Sequence, residues 1–187
     1  ERGARSLNSF QFYSPTRVLF GAGTIAETGP TVQAAGGHRV LVLYGCGSAV
    51  KNGVLDKVLA SLDQSGIVSF PEGGIQPNPR LSKAQSLLEQ YAHRDIDFIL
   101  GVGGASVLDT CKAVAMGLYG GGPIWDYFTK TRPVTGEIPV GCVLTIAAAG
   151  SETSDSAVLT NEVLSSKRGC STPFNRPVFA IMDPETT

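Results

Sequence analysis

Short apolar segments alternate along this chain with longer segments whose apolar side chains recur at helical spacing. Within residues 39–44, the five that follow Arg39 are continuously apolar, which is typical of a parallel strand buried on both faces of a sheet. Residues 51–64 and 80–93 place apolar side chains on one face of a 3.6-residue helix. Such patterns predict strands at 17–20, 39–44, 67–70, 96–100, 140–146, 156–160 and 178–182, and helices at 24–35, 51–64, 80–93 and 106–119. This alternation predicts an α/β fold, in which a parallel sheet carries helices on both faces.

The composition indicates a folded protein with a single sizeable core, and it argues against some classes of binding partner. The chain has 187 residues, of which 42% are hydrophobic and 17% are charged, the balance of a folded globular protein. Its 15 basic and 16 acidic side chains give a formal net charge of −1 without a basic cluster. That balance argues against nucleic acid or an anionic membrane as the main partner. The longest apolar segment, residues 138–150, is too short to cross a bilayer.

The spacing of cysteines and histidines predicts neither a zinc site nor a disulfide framework. No CxxC pair occurs among the four cysteines, and His38 and His93 stand apart from them. Free thiols in a reducing cytoplasm fit this pattern best. The chain has no initiator Met, and residues 183–187 follow an apolar strand in the manner of a cut between domains, so we expect a trimmed piece of a longer protein.

Two glycine-rich turns follow predicted strands, at the edge where open α/β sheets bind ligands. Residues 45–48 read Gly-Cys-Gly-Ser and match the opening of a dinucleotide fingerprint, although Val50 stands where its third glycine belongs. Residues 101–106 read Gly-Val-Gly-Gly-Ala-Ser and open a helix, whose free N–H groups favour a phosphate. Each turn also has a structural explanation. The first is a tight strand–helix turn, and Ser106 with Asp109 forms an S-x-x-D helix cap.

Two further segments bring polar groups to the same edge. In residues 76–79, Gln-Pro-Asn-Pro, we expect the two prolines to hold Asn78 extended, either towards a ligand or in a rigid turn before the next helix. Residues 145–154 leave a strand and carry several hydroxyl groups. Those hydroxyls hydrogen-bond either a ligand or neighbouring backbone groups.

In this order and spacing, the segments resemble the N-terminal domain of the iron-containing alcohol dehydrogenases. Within that family they look most like the NADPH-dependent butanol dehydrogenase and aldehyde reductase branch. The resemblance covers nearly the whole chain and rests on residues 15–23, 44–48, 51–56, 74–79, 97–109, 139–145, 150–152 and 177–184. It implies a Rossmann-like α/β domain over residues 1–187, the N-terminal half of a two-domain, dehydroquinate-synthase-like fold. It also implies an enzyme that interconverts primary alcohols and aldehydes.

The resemblance implies cofactor contacts for residues of every polar segment. The pyrophosphate would be cradled by Gly103, Gly104, Ala105 and Ser106. The adenosine ribose would lie beside Gly45, Gly47 and Ser48. The ribose and nicotinamide side would contact Asn78, Thr145, Ser154 and Lys167, although a solvated surface lysine explains Lys167 equally well.

The residue at position 45 bears on the choice between the two nicotinamide cofactors. Family members that prefer NAD(H) commonly carry an Asp there, which binds the ribose 2′-OH and repels a 2′-phosphate. Gly45 removes that charge, while Ser48 can donate and Lys51 offers a cation, so the resemblance favours NADP(H) over NAD(H). Two departures from the family pattern bear on affinity. Ala105 replaces a glycine, which requires a negative φ there, and Ala149 replaces a threonine whose hydroxyl is lost.

Family members also bind a divalent metal, Fe²⁺ or Zn²⁺, through one Asp and three His of a C-terminal helical domain that lies outside this chain. The resemblance therefore assigns no catalytic residue and no metal ligand here, and we expect the chain alone to be inactive. One alternative is a stand-alone, non-catalytic nucleotide-binding module. Another is a lyase related to dehydroquinate synthase, which needs more basic residues near Asn78 than Arg80 alone. We further expect a homodimer in which residues 9–20 pair as an edge strand.

Overall fold

The computed structural model describes residue 9 and residues 13–186. Its strands are β1 (Arg17–Phe20), β2 (Arg39–Gly45), β3 (Val68–Ile75), β4 (Phe98–Gly103), β5 (Val140–Leu144), β6 (Ser156–Asn161), β7 (Ser166–Ser171) and β8 (Phe179–Met182). Six of these strands form a parallel sheet in the order β1-β8-β5-β4-β2-β3. Strands β6 and β7 pair separately as an antiparallel hairpin. Of the expected edge segment 9–20, residues 10–12 lie outside the described residues, and residues 17–20 form β1 at one edge of the sheet.

Helices cover both faces of the sheet, as the α/β prediction requires. They are α1 (Thr28–Ala34), α2 (Ser48–Lys51), α3 (Val54–Gln64), α4 (Leu81–Tyr91), α5 (Ala105–Gly120) and α6 (Trp125–Thr129), with 3₁₀ turns at Thr24–Glu27 and Pro173–Asn175. Between residues 13 and 186, no helix is both long and apolar enough to span a bilayer.

The core lies in two layers because successive side chains of a strand point to opposite faces. Val40 and Val42 of β2 pack with Val58 of α3 on one face. Leu41 and Leu43 pack with residues of α4 and α5 on the other. This burial on both sides explains why the middle of β2, residues 40–43, is continuously apolar in the sequence.

The structure departs from the sequence-based elements in three places. The single helix predicted at 51–64 is split into α2 and α3, because Gly53 adopts a left-handed φ of 68° between them. Residues 156–160 were predicted as a strand alongside the parallel strands, but they belong to the hairpin with β7, whose polar sequence shows no strand pattern. Residues 120–139, for which the sequence pattern predicts no helix or strand, contain the short helix α6.

Candidate functional site

The direction of the strand connections reverses between β2 and β4, and in open α/β sheets the carboxyl ends of two such strands border a crevice. The chain leaves β2 towards β3 on one side and leaves β4 towards β5 on the other, although β2 and β4 are hydrogen-bonded neighbours. Ligands of open α/β sheets bind at such a topological switch point. The two glycine-rich turns predicted as a ligand site follow these two strands, at residues 45–48 and 103–106.

The N-terminus of α5 opens directly onto this crevice. Gly104 is the N-cap, and no side chain caps the helix among the described residues. The N–H groups of Val107 and Leu108 both donate to the carbonyl of Gly104, so the N–H groups of Ala105 and Ser106 have no intrahelical acceptor. Ala105 lies within the helix and is not a positive-φ residue, so its methyl group is tolerated. These donors and the positive end of the helix dipole favour an anion.

The glycines of the two turns differ in what their surroundings require. A Cβ on Gly103 would come within 2.6 Å of Val107 Cγ2, and one on Gly104 would collide with the side chain of Ile146. In contrast, a Cβ on Gly45 would find its nearest neighbour, the carbonyl oxygen of Ile75, at 3.6 Å. At Gly47 the nearest atom would be Lys51 Cε at 4.0 Å. Close packing therefore explains the glycines of the second turn but not those of the first, where a Cβ would fit without a clash.

The expected S-x-x-D cap is wrong. Ser106 is already the second residue of α5, so it does not precede the helix. The carboxylate of Asp109 turns away from the helix N-terminus and accepts hydrogen bonds from Ser151 Oγ at 2.8 Å and from the N–H of Val158 at 3.2 Å. Burial raises the pKa of Asp109, while these two donors and Lys112 oppose the shift. Asp109 thus joins α5 to the segment that follows β5.

A buried lysine, absent from the sequence-based site, lies one turn further along α5. Lys112 is completely buried, and its Nζ donates to the carbonyl oxygens of Ser151 at 2.8 Å, Ser154 at 3.0 Å and Ser156 at 2.9 Å. Burial lowers the pKa of Lys112, and the nearby Asp109 carboxylate opposes that shift. In the sequence, the clue is a cation within the otherwise apolar segment 110–118.

Two predicted site residues from distant parts of the chain meet at the rim of the crevice. Lys167 Nζ donates to Asn78 Oδ1 at 3.1 Å, which joins the hairpin to the loop after β3. The expected extended conformation of Asn78 is wrong, because its φ is 58°, in the left-handed region. Asparagine tolerates that region better than most residues, and the contact with Lys167 holds its side chain there.

More cations surround this rim than the sequence spacing suggested. A cleft of about 310 Å³ at the end of β3 is lined by Arg80 and Lys83 together with Thr110 of α5. Lys167 adds a third positive charge beside Asn78. The expectation that Arg80 is the only basic residue near Asn78 is therefore wrong, because folding brings Lys167 into contact with Asn78.

Thr145 and Ser154 begin and end the loop that follows β5. The N–H of Thr145 donates to the carbonyl of Gly103 at 3.2 Å, which sets the start of this loop beside the end of β4. Ser154 Oγ accepts from the N–H of Ser156 at 3.0 Å, so its hydroxyl already takes part in a local turn. Ser48 begins α2, and Lys51 at the end of that helix lies alongside Gly47.

The described residues do not fit a metal ion. His38 and His93 are both exposed, and no group of three or more His, Cys, Asp or Glu side chains in residues 13–186 could hold one. The four cysteines are free, with Cys46 exposed and the other three buried.

Comparison with known proteins gives one consistent assignment. The family model described as iron-containing alcohol dehydrogenase matches residues 15–184. Over 181 residues the chain is 38% identical to the probable NADH-dependent butanol dehydrogenase 2 of Bacillus subtilis, covering 97% of this chain and 46% of that protein. Over 184 residues it is also 38% identical to the NADPH-dependent aldehyde reductase YqhD of Escherichia coli, with the same coverage of both.

A solved structure shares both the fold and the sequence. The NADH-dependent butanol dehydrogenase A of Thermotoga maritima superimposes with a TM-score of 0.92 at 42% identity, covering 95% of this chain and 45% of that chain. The chain thus spans about half the length of the relatives that it matches.

Proposed function

Because the chain belongs to the iron-containing alcohol dehydrogenase family, we propose that it is the dinucleotide-binding domain of an oxidoreductase that interconverts primary alcohols and aldehydes. One observation carries this proposal: the uncapped N-terminus of α5 opens at the switch point beside Gly45 and Gly47, two glycines that packing does not require. A pyrophosphate fits the first feature and a ribose fits the space beside the second.

In this proposal the residues of this chain bind and orient the cofactor. The N–H groups of Ala105 and Ser106 hold the pyrophosphate, and Gly103 and Gly104 allow close approach of the backbone. Residues 45–48 lie beside the adenosine ribose. Asn78 and Lys167, already in contact at 3.1 Å, face the nicotinamide side with Thr145 and Ser154. Fixing the nicotinamide ring against the substrate lowers the entropic part of the barrier to hydride transfer.

We propose NADP(H) as the preferred cofactor over NAD(H). Gly45 carries no carboxylate that would repel a 2′-phosphate, and a Cβ at this position would meet its nearest neighbour only at the ordinary contact distance of 3.6 Å. Lys51 lies alongside Gly47 and places a positive charge near the same turn. The names of similar proteins do not decide this preference, because they include both NADH-dependent and NADPH-dependent enzymes.

The divalent metal, Fe²⁺ or Zn²⁺, would come from a C-terminal helical domain outside this chain. Because the family's metal ligands belong to that other domain, we assign this chain no catalytic residue and expect the chain alone to be inactive. Free cysteines support a reducing compartment, the cytoplasm. Aldehyde reduction by the purified 187-residue chain would contradict the proposal that this chain binds the cofactor but is inactive alone.

Calorimetric titration of the purified chain with NADPH and with NADH at physiological salt tests the proposal. We expect saturable binding of both, with NADPH bound about tenfold more tightly. A folded chain that shows no saturable binding of either cofactor would overturn the proposed function. Tighter binding of NADH would overturn only the cofactor preference.

Substitutions of Gly45 distinguish the effect of an added negative charge on cofactor binding from the effect of added side-chain volume. Gly45→Asp should weaken NADPH binding by about tenfold or more through repulsion of the 2′-phosphate, while NADH binding is retained or improved. Gly45→Ala is the matched control, because a methyl group fits there and brings no charge. If Gly45→Asp leaves the ratio of the two affinities unchanged, the turn does not contact the ribose.

A further inference from the structure

Lys112 stands out because the proposed cofactor contacts do not use it, yet it is completely buried with a set of acceptors arranged around its Nζ. An ammonium carries three N–H groups, and three carbonyl oxygens of residues 151–156 receive hydrogen bonds from it. A side chain at the centre of α5 therefore fixes the backbone of a loop 39 to 44 residues further along the chain.

The carboxylate of Asp109, one turn before Lys112, binds the same segment that follows β5. Ser151 Oγ lies 3.0 Å from Lys112 Nζ and donates to Asp109 Oδ1 at 2.8 Å, so the serine hydroxyl links the cation to the carboxylate. The second oxygen of Asp109 accepts from the N–H of Val158, in the first half of the hairpin. One turn of α5 thereby holds both the end of the loop after β5 and the start of β6.

Packing alone does not account for a charged group in this position. An apolar side chain of similar length would fill the same volume without the cost of desolvating an ammonium, and such replacements of buried ion pairs are often neutral or stabilising. A methionine, however, could not hold three carbonyl groups in fixed directions. The distinctive effect of the cation is therefore the geometry of residues 151–156.

That geometry bears on the predicted cofactor contacts at the nicotinamide side. Ser154 lies within the clamped segment, and the strand that starts beside it runs on to Thr160, which pairs with Lys167. The N–H of Thr160 also donates to the carbonyl of Pro79, next to Asn78. A displaced loop would move Ser154 and the hairpin together, whereas the N–H groups at the start of α5 would stay in place.

We infer that Lys112, acting with Asp109 and Ser151, is a positioning residue that sets the nicotinamide side of the cofactor site from inside α5. This inference rests on the proposed function, and it makes a selective prediction. Loss of the cation should weaken binding of the whole dinucleotide while sparing ADP, which carries the adenosine and pyrophosphate without the nicotinamide half.

The test compares Lys112→Met with Lys57→Met, an identical change at an exposed position of α3 on the opposite face of the sheet. Calorimetry on the full chain measures the affinities for NADPH and for ADP, and hydrogen exchange follows the amides of residues 151–158. We expect Lys112→Met to bind NADPH at least about tenfold more weakly, to bind ADP within about twofold of the wild type, and to exchange faster at residues 151–158. Lys57→Met should match the wild type in all three measurements.

A second variant keeps the inference falsifiable if Lys112→Met does not fold. Ser151→Ala removes the linking hydroxyl but keeps both charges and every carbonyl, and it should weaken NADPH binding by about threefold or more without changing ADP binding. Equal NADPH affinity in Lys112→Met and Lys57→Met would overturn the inference. So would equal losses of NADPH and ADP, or an unchanged NADPH affinity in Ser151→Ala. If the wild type binds neither compound, it is the proposed function that fails.

Discussion

Glu137 is a half-buried carboxylic acid side chain, one of whose two oxygens has no hydrogen-bonding partner among the described residues. Burial raises the pKa of its carboxyl to about 8, although the positive charge of Lys112 opposes the shift. Its Oε2 atom is buried, and no hydrogen bond reaches it from the residues that the structure describes. An isolated buried carboxylate is costly, so the protonated form is favoured in the folded state.

This shift predicts that stability falls as pH rises. The carboxyl of the unfolded chain titrates near its ordinary value of 4.5, and that of the folded chain near 8, so the folded state holds one extra proton between them. The contribution of Glu137 to the free energy of unfolding is fully present below about pH 4.5 and is lost as the pH rises through about 8. Glu137→Gln should therefore lose less stability between pH 5 and pH 8, with a difference on the order of a few kcal/mol at the upper end. Urea unfolding at several pH values measures it, with Glu27→Gln at an exposed position as the control. Parallel pH profiles for wild type and Glu137→Gln would contradict the prediction.

At the scale of elements, the packing of α5 against β4 depends on the absence of a side chain at the strand end. Gly103 is the last residue of β4, and its Cα faces Val107 in the first turn of the helix. The close approach brings the N-terminus of α5 down onto the sheet edge, where its N–H groups meet the proposed pyrophosphate.

The effect of filling this contact can be measured directly. Gly103→Ala should destabilise the chain by about 1–3 kcal/mol, because the new methyl group would lie 2.6 Å from Val107 Cγ2. Gly45→Ala, whose methyl group has its nearest neighbour at 3.6 Å, should change stability by less than about 0.5 kcal/mol. Because Val107 is buried and its truncation has its own cost, a double-mutant cycle in denaturant unfolding should show that Gly103→Ala destabilises less when residue 107 is alanine. Equal stabilities of the two single variants would show that the helix shifts freely.

Several elements of the main sheet follow from the sequence, because strands β2 and β4 are apolar and helices α3 and α4 each have one apolar face. Strand β2 and helix α4 are examples, within a few residues at each end. Local pattern could not show the hairpin partner β7, since Ser-Lys-Arg-Gly-Cys-Ser has no apolar alternation and pairs only once β6 is in place. The residues of the candidate site likewise fall into those that local sequence motifs predict and those that only the folded structure brings together. The glycine turns are readable as local motifs, whereas the Lys112 contacts arise from segments brought together by folding.

At the scale of the whole molecule, strand β1 forms one edge of the sheet and has no partner on its outer side among the described residues. Its backbone N–H groups alternate in direction, and those of Arg17 and Gly21 bond to residues 178 and 182 on the β8 side. The N–H groups of Val18 and Phe20 therefore face the unpaired side. The side chains of these two residues are also exposed, Phe20 by 72%. We propose that two copies of the chain pair through this edge.

Val18→Pro tests this pairing without disturbing the sheet. Proline at this position removes an N–H on the open side only, which edge strands tolerate. Sedimentation of the wild-type chain should show a dimer, and Val18→Pro should shift it to monomer with cofactor binding retained. Val18→Ala, which keeps the N–H, is the matched control and should remain dimeric. A wild-type monomer at all concentrations, or an undiminished dimer of Val18→Pro, would rule out this edge as the interface.

The place of β8 in the sheet has a consequence for how the chain is made. This strand is the last along the described residues, yet it fills the slot between β1 and β5. During synthesis β1 therefore remains unpaired until its partner strand, more than 150 residues later in the chain, has been made. Arg17 of β1 lies opposite Phe179 of β8, and most of the sheet emerges before that residue. Such distant closure is intrinsically slow, and a waiting apolar strand is a hazard for aggregation. Nascent chains released before residue 179 would lack the strand that joins β1 to the rest, and they would depend on chaperones to keep it from pairing elsewhere.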